Sequence, residues 1–133
     1  MDIMLRRVCA ASTLALLAGC GGSRETDPVL DAAARFESAV ASHDGVAACS
    51  LLAPEAVRRV NDLRPEGCAQ AVPKLSLPTS PLGGQVQVWG DTAQVRAPAD
   101  TLFLRRFPEG WRIIGAGCRS RGERPYECTV DGT

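Results

Sequence analysis

The spacing of apolar residues changes near the middle of the chain, from a helical period to a strand period. In the first half, Val29, Ala33, Phe36 and Val40 recur at intervals of three or four, which is the apolar stripe of an amphipathic helix. In the second half, residues 85–88 alternate glutamine with valine, which is typical of a half-buried strand. Helices followed by strands predict an α+β fold.

Helix signals divide the first half into several segments. Asp27 is a favourable N-cap and Pro28 suits the first helical position, so the first helix is expected to begin there and to run to about Ser42. The Asp44-Gly45 pair is expected to end it. Shorter helical segments are predicted at residues 46–52, 54–60 and 68–72.

Two antiparallel hairpins are predicted after a stretch rich in proline and glycine. The first pairs residues 85–88 with 92–97, and the second pairs 101–107 with 111–116. Apolar residues on both faces of the second hairpin indicate that its strands lie centrally. The expected domain therefore has N-terminal helices packed on a curled antiparallel sheet of about four strands.

The first twenty residues have the layout of an export signal. Arg6 and Arg7 precede an uncharged run at 8–19, and Cys20 follows. The run is too short for a transmembrane helix, which needs roughly 20 apolar residues. We therefore expect residues 1–19 to be a cleaved signal peptide.

The end of this segment, Leu17-Ala18-Gly19-Cys20, resembles the bacterial lipobox. The resemblance implies cleavage before Cys20, diacylglycerol on its sulfur and usually an acyl chain, such as palmitate, on the new amino terminus. Two or three acyl chains anchor a protein stably. A secretory signal that happens to end in cysteine is the alternative. On the lipoprotein interpretation, residues 20–27 are a lipidated flexible tether on the extracytoplasmic face of the cell membrane, and residues 28–133 form a single α+β domain.

Length and charge restrict the folded part further. Cleavage would leave 114 residues, which suits one domain with one core. It would also remove Arg6, Arg7 and Asp2, leaving 13 basic and 14 acidic residues. A nearly neutral chain does not indicate a nucleic-acid partner, which favours a clustered basic face.

Four cysteines remain in the folded part: Cys49, Cys68, Cys118 and Cys128. In an exported protein an even number indicates disulfides, and four cysteines allow three connectivities that sequence alone does not separate. A zinc site is the rival interpretation, but these cysteines lack the close pairs of a zinc ribbon. We expect local pairing, Cys49 with Cys68 and Cys118 with Cys128.

His43 is the single histidine, and Asp44 follows it. A histidine beside an aspartate in a pocket is a candidate general base. A solvated histidine at a helix end explains the same position. No pattern indicates a metal site, a phosphate loop or a cofactor.

Arginines and aromatic residues supply the candidate contacts for a ligand or partner. Six arginines fall within twenty residues against two glutamates, and such a patch suits anionic head groups or an acidic partner; the solvated face of a strand is the alternative. They are Arg105, Arg106, Arg112, Arg119, Arg121 and Arg124. Trp89, Trp111 and Tyr126 are candidates for lining a pocket, or else for the core and the cover of the sheet.

The order of elements and several short pieces together resemble a known group. Helices followed by a curled antiparallel sheet resemble the nuclear-transport-factor-2-like, cystatin-like fold, and the pieces are similar to small actinobacterial lipoproteins of that kind. The resemblance implies a cone between helices and sheet and an envelope location, but it supplies no catalytic residue. The pieces are Ala48-Cys49-Ser50-Leu51-Leu52, Gly67-Cys68-Ala69, Gly110-Trp111-Arg112, Ala116-Gly117-Cys118 and Pro125-Tyr126-Glu127-Cys128.

These observations favour a membrane-anchored, non-enzymatic domain that binds an envelope protein or a small apolar ligand in that cone. The alternative is a small hydrolase or isomerase that uses a pocket carboxylate and His43. A purely structural envelope protein without a pocket is the third hypothesis.

Overall fold

Helices make up the first part of the domain. A computed structural model describes residues 23–79 and 84–133, so the predicted signal peptide and Cys20 lie outside the described residues. The helices are α1 (Ser23–Ala41), α2 (Gly45–Leu51), α3 (Pro54–Leu63) and α4 (Cys68–Ala71), and a 3-10 turn at Val72–Lys74 follows. Within the described ranges, no helix combines the length and hydropathy needed to cross a membrane.

In the described residues, five antiparallel strands form one open sheet, with neighbours in chain order. The α+β class is confirmed, and β3 is the central strand, as the apolar residues on both of its faces indicate. The strands are β1 (Gln85–Trp89), β2 (Thr92–Arg96), β3 (Thr101–Phe107), β4 (Gly110–Arg121) and β5 (Arg124–Asp131).

The expected count of four strands is wrong because β5 was not anticipated. This strand is an edge strand, and most of its side chains are exposed or half-buried, so its apolar alternation is weak. Pro125 also weakens the strand pattern, but an edge strand tolerates proline. The strand before it, β4, continues to Arg121, beyond its predicted end at Ala116.

The first helix begins earlier than the sequence indicates. Helix α1 starts at Ser23, so Asp27 and Pro28 lie inside it instead of at its start. Glu25 lies in the first turn, where a carboxylate interacts favourably with the helix dipole. Pro28 is the sixth residue of α1, so it lies inside the helix and removes one backbone hydrogen bond near its start.

The core lies between the helices and one face of the sheet. Ala93, Leu104 and Ile113 are paired neighbours on β2, β3 and β4 and are fully buried on this face. Phe36 of α1 is the largest fully buried side chain in the same cluster. Because alternate strand residues point to opposite faces, Gln94 and Phe103 belong to the other face.

The connection between α2 and α3 covers the part of β4 that β5 does not reach. Leu52 forms a parallel bridge with Ile113, and the Ala53 N–H donates to the Ile113 carbonyl at 2.7 Å. Farther along, the Gly132 N–H donates to the Ile114 carbonyl at 2.8 Å. These bonds satisfy backbone groups that an open edge would leave unpaired.

Both disulfides have the local pairing that the sequence favours. Cys49 of α2 is bonded to Cys68 of α4, and Cys118 is bonded to Cys128 across β4 and β5. The first holds α4 against α2, where Gly45 leaves room for the close approach of the Ala69 carbonyl. All four sulfur atoms that the zinc alternative requires are in these bonds.

Candidate functional site

The turn between β3 and β4 lies between the helices and creates two hollows. The first hollow has a volume of about 220 Å³ and lies between α1 and the turn; the second, of about 530 Å³, lies between α3 and the turn. Glu109 and Arg112 line both, so the two hollows are adjacent. We refer to them together as the hairpin site.

The second hollow has apolar walls with charged groups among them. Four apolar residues come from three separate segments: Leu52, Pro54, Val57 and Phe107. The charged groups are Arg58, Glu109 and Arg112. A concave apolar surface with a few polar groups is the usual form of a small-molecule site, and its volume is in the usual range of a few hundred Å³.

Arg112 forms the wall between the two hollows. Its Nη1 donates a hydrogen bond to the Ser50 carbonyl near the end of α2. This bond joins the sheet to the helical layer at the hairpin site. Because the side chain is held at one point, its guanidinium is a fixed positive group beside both hollows.

The first hollow is lined on one side by α1 and on the other by Trp111. The indole of Trp111 is only 8% exposed and belongs to the core. On the helix side, Asp31 and Arg35 form an ion pair of 3.1 Å, with both side chains largely exposed. An exposed pair one helical turn apart contributes only a few tenths of a kcal/mol, about 0.3–0.5. With about 220 Å³ against about 530 Å³, and with this ion pair in its wall, the first hollow is smaller and more polar than the second.

Two of the predicted contact arginines are engaged with protein groups. The Arg106 guanidinium lies 5.6 Å from the centre of the Trp111 ring and donates to the Gly90 carbonyl at 3.4 Å. Arg105 Nη1 lies 3.7 Å from Glu55 Oε1. These arginines stabilise contacts between elements and do not form one free basic patch.

The remaining predicted contacts lie elsewhere. The Tyr126 hydroxyl accepts a hydrogen bond from Gln94 Nε2 at 3.3 Å, and its ring meets Phe103 edge-on at 5.1 Å. This cluster covers the sheet face opposite the helices. Trp89 stands at the end of β1 and is 55% exposed. Of the nine candidate contacts, Trp111 and Arg112 are the ones that line the hairpin site.

His43 occupies the helix-end position that the sequence favours. Its N–H donates to the Val40 carbonyl, its φ is 56°, and its side chain is exposed. The next residue, Asp44, caps α2 by accepting from the Ala47 N–H at 3.0 Å. His43 lines neither hollow of the hairpin site.

A buried carboxylate was missed by the sequence interpretation. Asp100 is 6% exposed and accepts three backbone N–H bonds, from Thr101 at 2.7 Å and from Gly117 and Cys118 at 3.0 Å. Burial raises the pKa of the Asp100 carboxyl above its usual value, although the three N–H bonds partly offset this. Asp100 fixes the approach of β3 to β4, which is a structural role.

The apolar residues of the second hollow were also missed. Val57 and Phe107 each fit an ordinary pattern, a helix stripe and a strand end. Only the packing of α3 beside the turn brings them together. No local sequence signal identifies such a hollow.

The chain matches no protein-family model, no curated protein and no solved structure.

Proposed function

We propose that this chain is a membrane-anchored extracytoplasmic lipoprotein with a nuclear-transport-factor-2-like domain that binds a small apolar ligand without catalysing a reaction. The lipobox resemblance at Cys20 supports the anchor. The order of helices before an antiparallel sheet supports the fold relationship. The second hollow of the hairpin site supports the binding role and is the observation that carries the proposal.

The character of the ligand follows from the walls of that hollow. Leucine, proline, valine and phenylalanine side chains favour an apolar body. Arg58 and Arg112 against Glu109 leave one positive charge in excess. A small amphiphile with an apolar body and one anionic group therefore complements this surface.

Binding of an apolar anionic dye tests the proposal. Anilinonaphthalene sulfonate has both properties, and its fluorescence rises when it leaves water. Val57→Trp should fill the hollow and weaken dye binding by about tenfold, the equivalent of ~1.4 kcal/mol. The measurement is a fluorescence titration of the folded protein.

Val46→Trp is the matched control. Val46 is a valine on a neighbouring helix, 73% exposed and outside both hollows. This variant should bind the dye as the unchanged protein does. Equal dye affinities in the Val57→Trp and Val46→Trp variants would show that the dye does not bind in the second hollow.

A further inference from the structure

The lipid-bearing residue and the first helix are separated by a very short stretch of chain. Only three peptide units join Cys20 to Ser23, the first residue of α1. Three extended residues span about 10 Å at most. Pro28 lies five residues farther along the helix, another ~8 Å. Cys20 is therefore within about 18 Å of Pro28, the sum of these two lengths.

Pro28 lies at the same end of the molecule as two sheet turns. It lines the first hollow together with Glu109 and Gly110 of the β3–β4 turn. The β1–β2 turn lies beside it, because the Arg106 N–H donates to the Asp91 carbonyl at 2.7 Å. We call this the proximal end, defined by Pro28, Trp89, Gly90, Asp91 and residues 107–110.

An exposed tryptophan stands at the proximal end. Trp89 is the last residue of β1, next to the β1–β2 turn. It is paired with Thr92, Thr92 with Arg105 and Arg105 with Arg112, so these four residues lie at the same level of the sheet. It is 55% exposed, whereas Trp111 is 8% exposed. Tryptophan is enriched at the membrane–water interface, where its indole lies at the level of the head groups.

Charges at this end are nearly balanced. Asp91 and Glu109 lie in the two turns, and Arg106 and Arg112 lie next to them. A balanced surface does not depend on anionic lipid, so the aromatic side chain supplies the main contact. This differs from the basic patch that the arginine cluster predicts.

Another exposed apolar side chain lies at a different end. Leu63 is 65% exposed at the end of α3, nine residues or ~14 Å from Pro54 at the hairpin site. We call the end with Leu63 the distal end. A tether of about 10 Å favours contact of the proximal end with the bilayer over contact of the distal end.

We infer that the proximal end lies on the bilayer surface, with the Trp89 indole in the head-group region. This inference rests on the proposed anchor at Cys20. It assigns the membrane lipid itself as a second binding partner of the domain. It also directs the hairpin site toward the membrane.

Fluorescence quenching by brominated lipid tests the inference. Acylated protein from its own membranes is reconstituted into phosphatidylcholine vesicles with or without brominated acyl chains. We expect bromine to reduce the Trp89 emission by about twofold. The Trp89→Phe variant, which retains Trp111, gives the emission to subtract.

A distal tryptophan provides the matched control. Leu63→Trp, made in the Trp89→Phe background, carries its added indole at the far end and should keep its emission. Quenching of that indole, or an unquenched Trp89 in acylated protein, would overturn the orientation and leave the anchor intact. An unacylated Cys20, shown by the intact mass, would overturn the anchor and the orientation together.

Discussion

At the residue scale, Asp100 compensates for an irregularity in the sheet. The pairing of β3 with β4 shifts register on both sides of Phe103, so β4 carries extra residues. A bulge of this kind leaves N–H groups outside the regular ladder. The Asp100 carboxylate accepts those of Gly117 and Cys118. No local sequence signal identifies this role of Asp100, because two of its partners are seventeen and eighteen positions away.

Asp100→Asn is predicted to destabilise the domain. The amide can accept through only one oxygen, so at least one N–H loses its partner, at a cost of about 1–3 kcal/mol in the free energy of unfolding. Chemical denaturation followed by circular dichroism measures this loss. An unchanged midpoint would contradict the role given to Asp100.

The stability difference between the unchanged protein and Asp100→Asn is predicted to depend on pH. Since burial raises the folded-state pKa of Asp100 above 3.8, its contribution to stability is fully present below 3.8 and is lost as pH rises through the folded pKa. The difference in free energy of unfolding between the unchanged protein and Asp100→Asn should therefore be larger well below pH 3.8 than at neutral pH. If this difference shrinks on acidification, folding does not raise the pKa of Asp100.

Two glycines with similar backbone angles should respond differently to alanine. Gly117 and Gly122 have φ of 64° and 67°. A Cβ at Gly117 would lie 2.8 Å from Thr129 Oγ1 and 3.0 Å from Leu77 Cδ2, whereas at Gly122 no described heavy atom lies within 4 Å. Gly122→Ala should cost about 1 kcal/mol from backbone strain alone. Gly117→Ala should cost more, and equal thermal midpoints would refute the crowding.

At the element scale, each disulfide joins neighbouring elements of one layer. Cys49–Cys68 joins α2 to α4 in the helical layer, and Cys118–Cys128 joins the last two strands. Their loops span 19 and 10 positions, and the chain-entropy model gives each about 3 kcal/mol. The short helix α4 has four residues, so its position depends on the first bond.

Removing the first disulfide should loosen α4 selectively. In the double variant Cys49→Ala with Cys68→Ala, we expect a loss of about 3 kcal/mol and faster amide hydrogen exchange in α4, with β2 and β3 still protected. Hydrogen exchange with mass spectrometry resolves these segments. The variant Cys118→Ala with Cys128→Ala should instead expose β5. Uniform acceleration in both variants would contradict the separate roles.

Sequence patterning predicts some elements of this fold better than others. It predicts β1 and β2 well, because the valine and alanine residues on one face alternate with polar ones, and it predicts β3 as a central strand because leucine and phenylalanine occupy both of its faces. It misses β5, whose side chains are mostly solvated. It also places the start of α1 at Asp27 instead of Ser23, because a favourable cap signal does not exclude an earlier start when the preceding residues also form helix.

At the scale of the whole molecule, the hairpin site depends on three segments that are distant in sequence. Residues 52–58, 107–112 and the first half of α1 meet only after the helices pack on the sheet. The sequence identifies Trp111 and the arginines as candidate contacts for a ligand or partner. It does not indicate that Val57 and Phe107 face each other, because neither is unusual in its own element.

The anchor and the hairpin site give a consistent account of the domain. The chain between Cys20 and α1 is short, and Pro28 in the first half of α1 lines the hairpin site beside the β3–β4 turn. A lipid-anchored domain of this shape would hold its apolar hollow close to the bilayer, which suits an amphiphilic ligand.

The intact mass of the protein gently extracted from its own membranes tests this account most directly. Native mass spectrometry should show a chain beginning at Cys20, carrying two or three acyl chains and two disulfides, with a small-molecule adduct that is lost in Val57→Trp and retained in Val46→Trp. A chain that keeps residues 1–19 or carries no acyl group at Cys20 would contradict the anchor. An acylated chain whose adduct is unaffected by Val57→Trp would contradict the hairpin site as the place of binding.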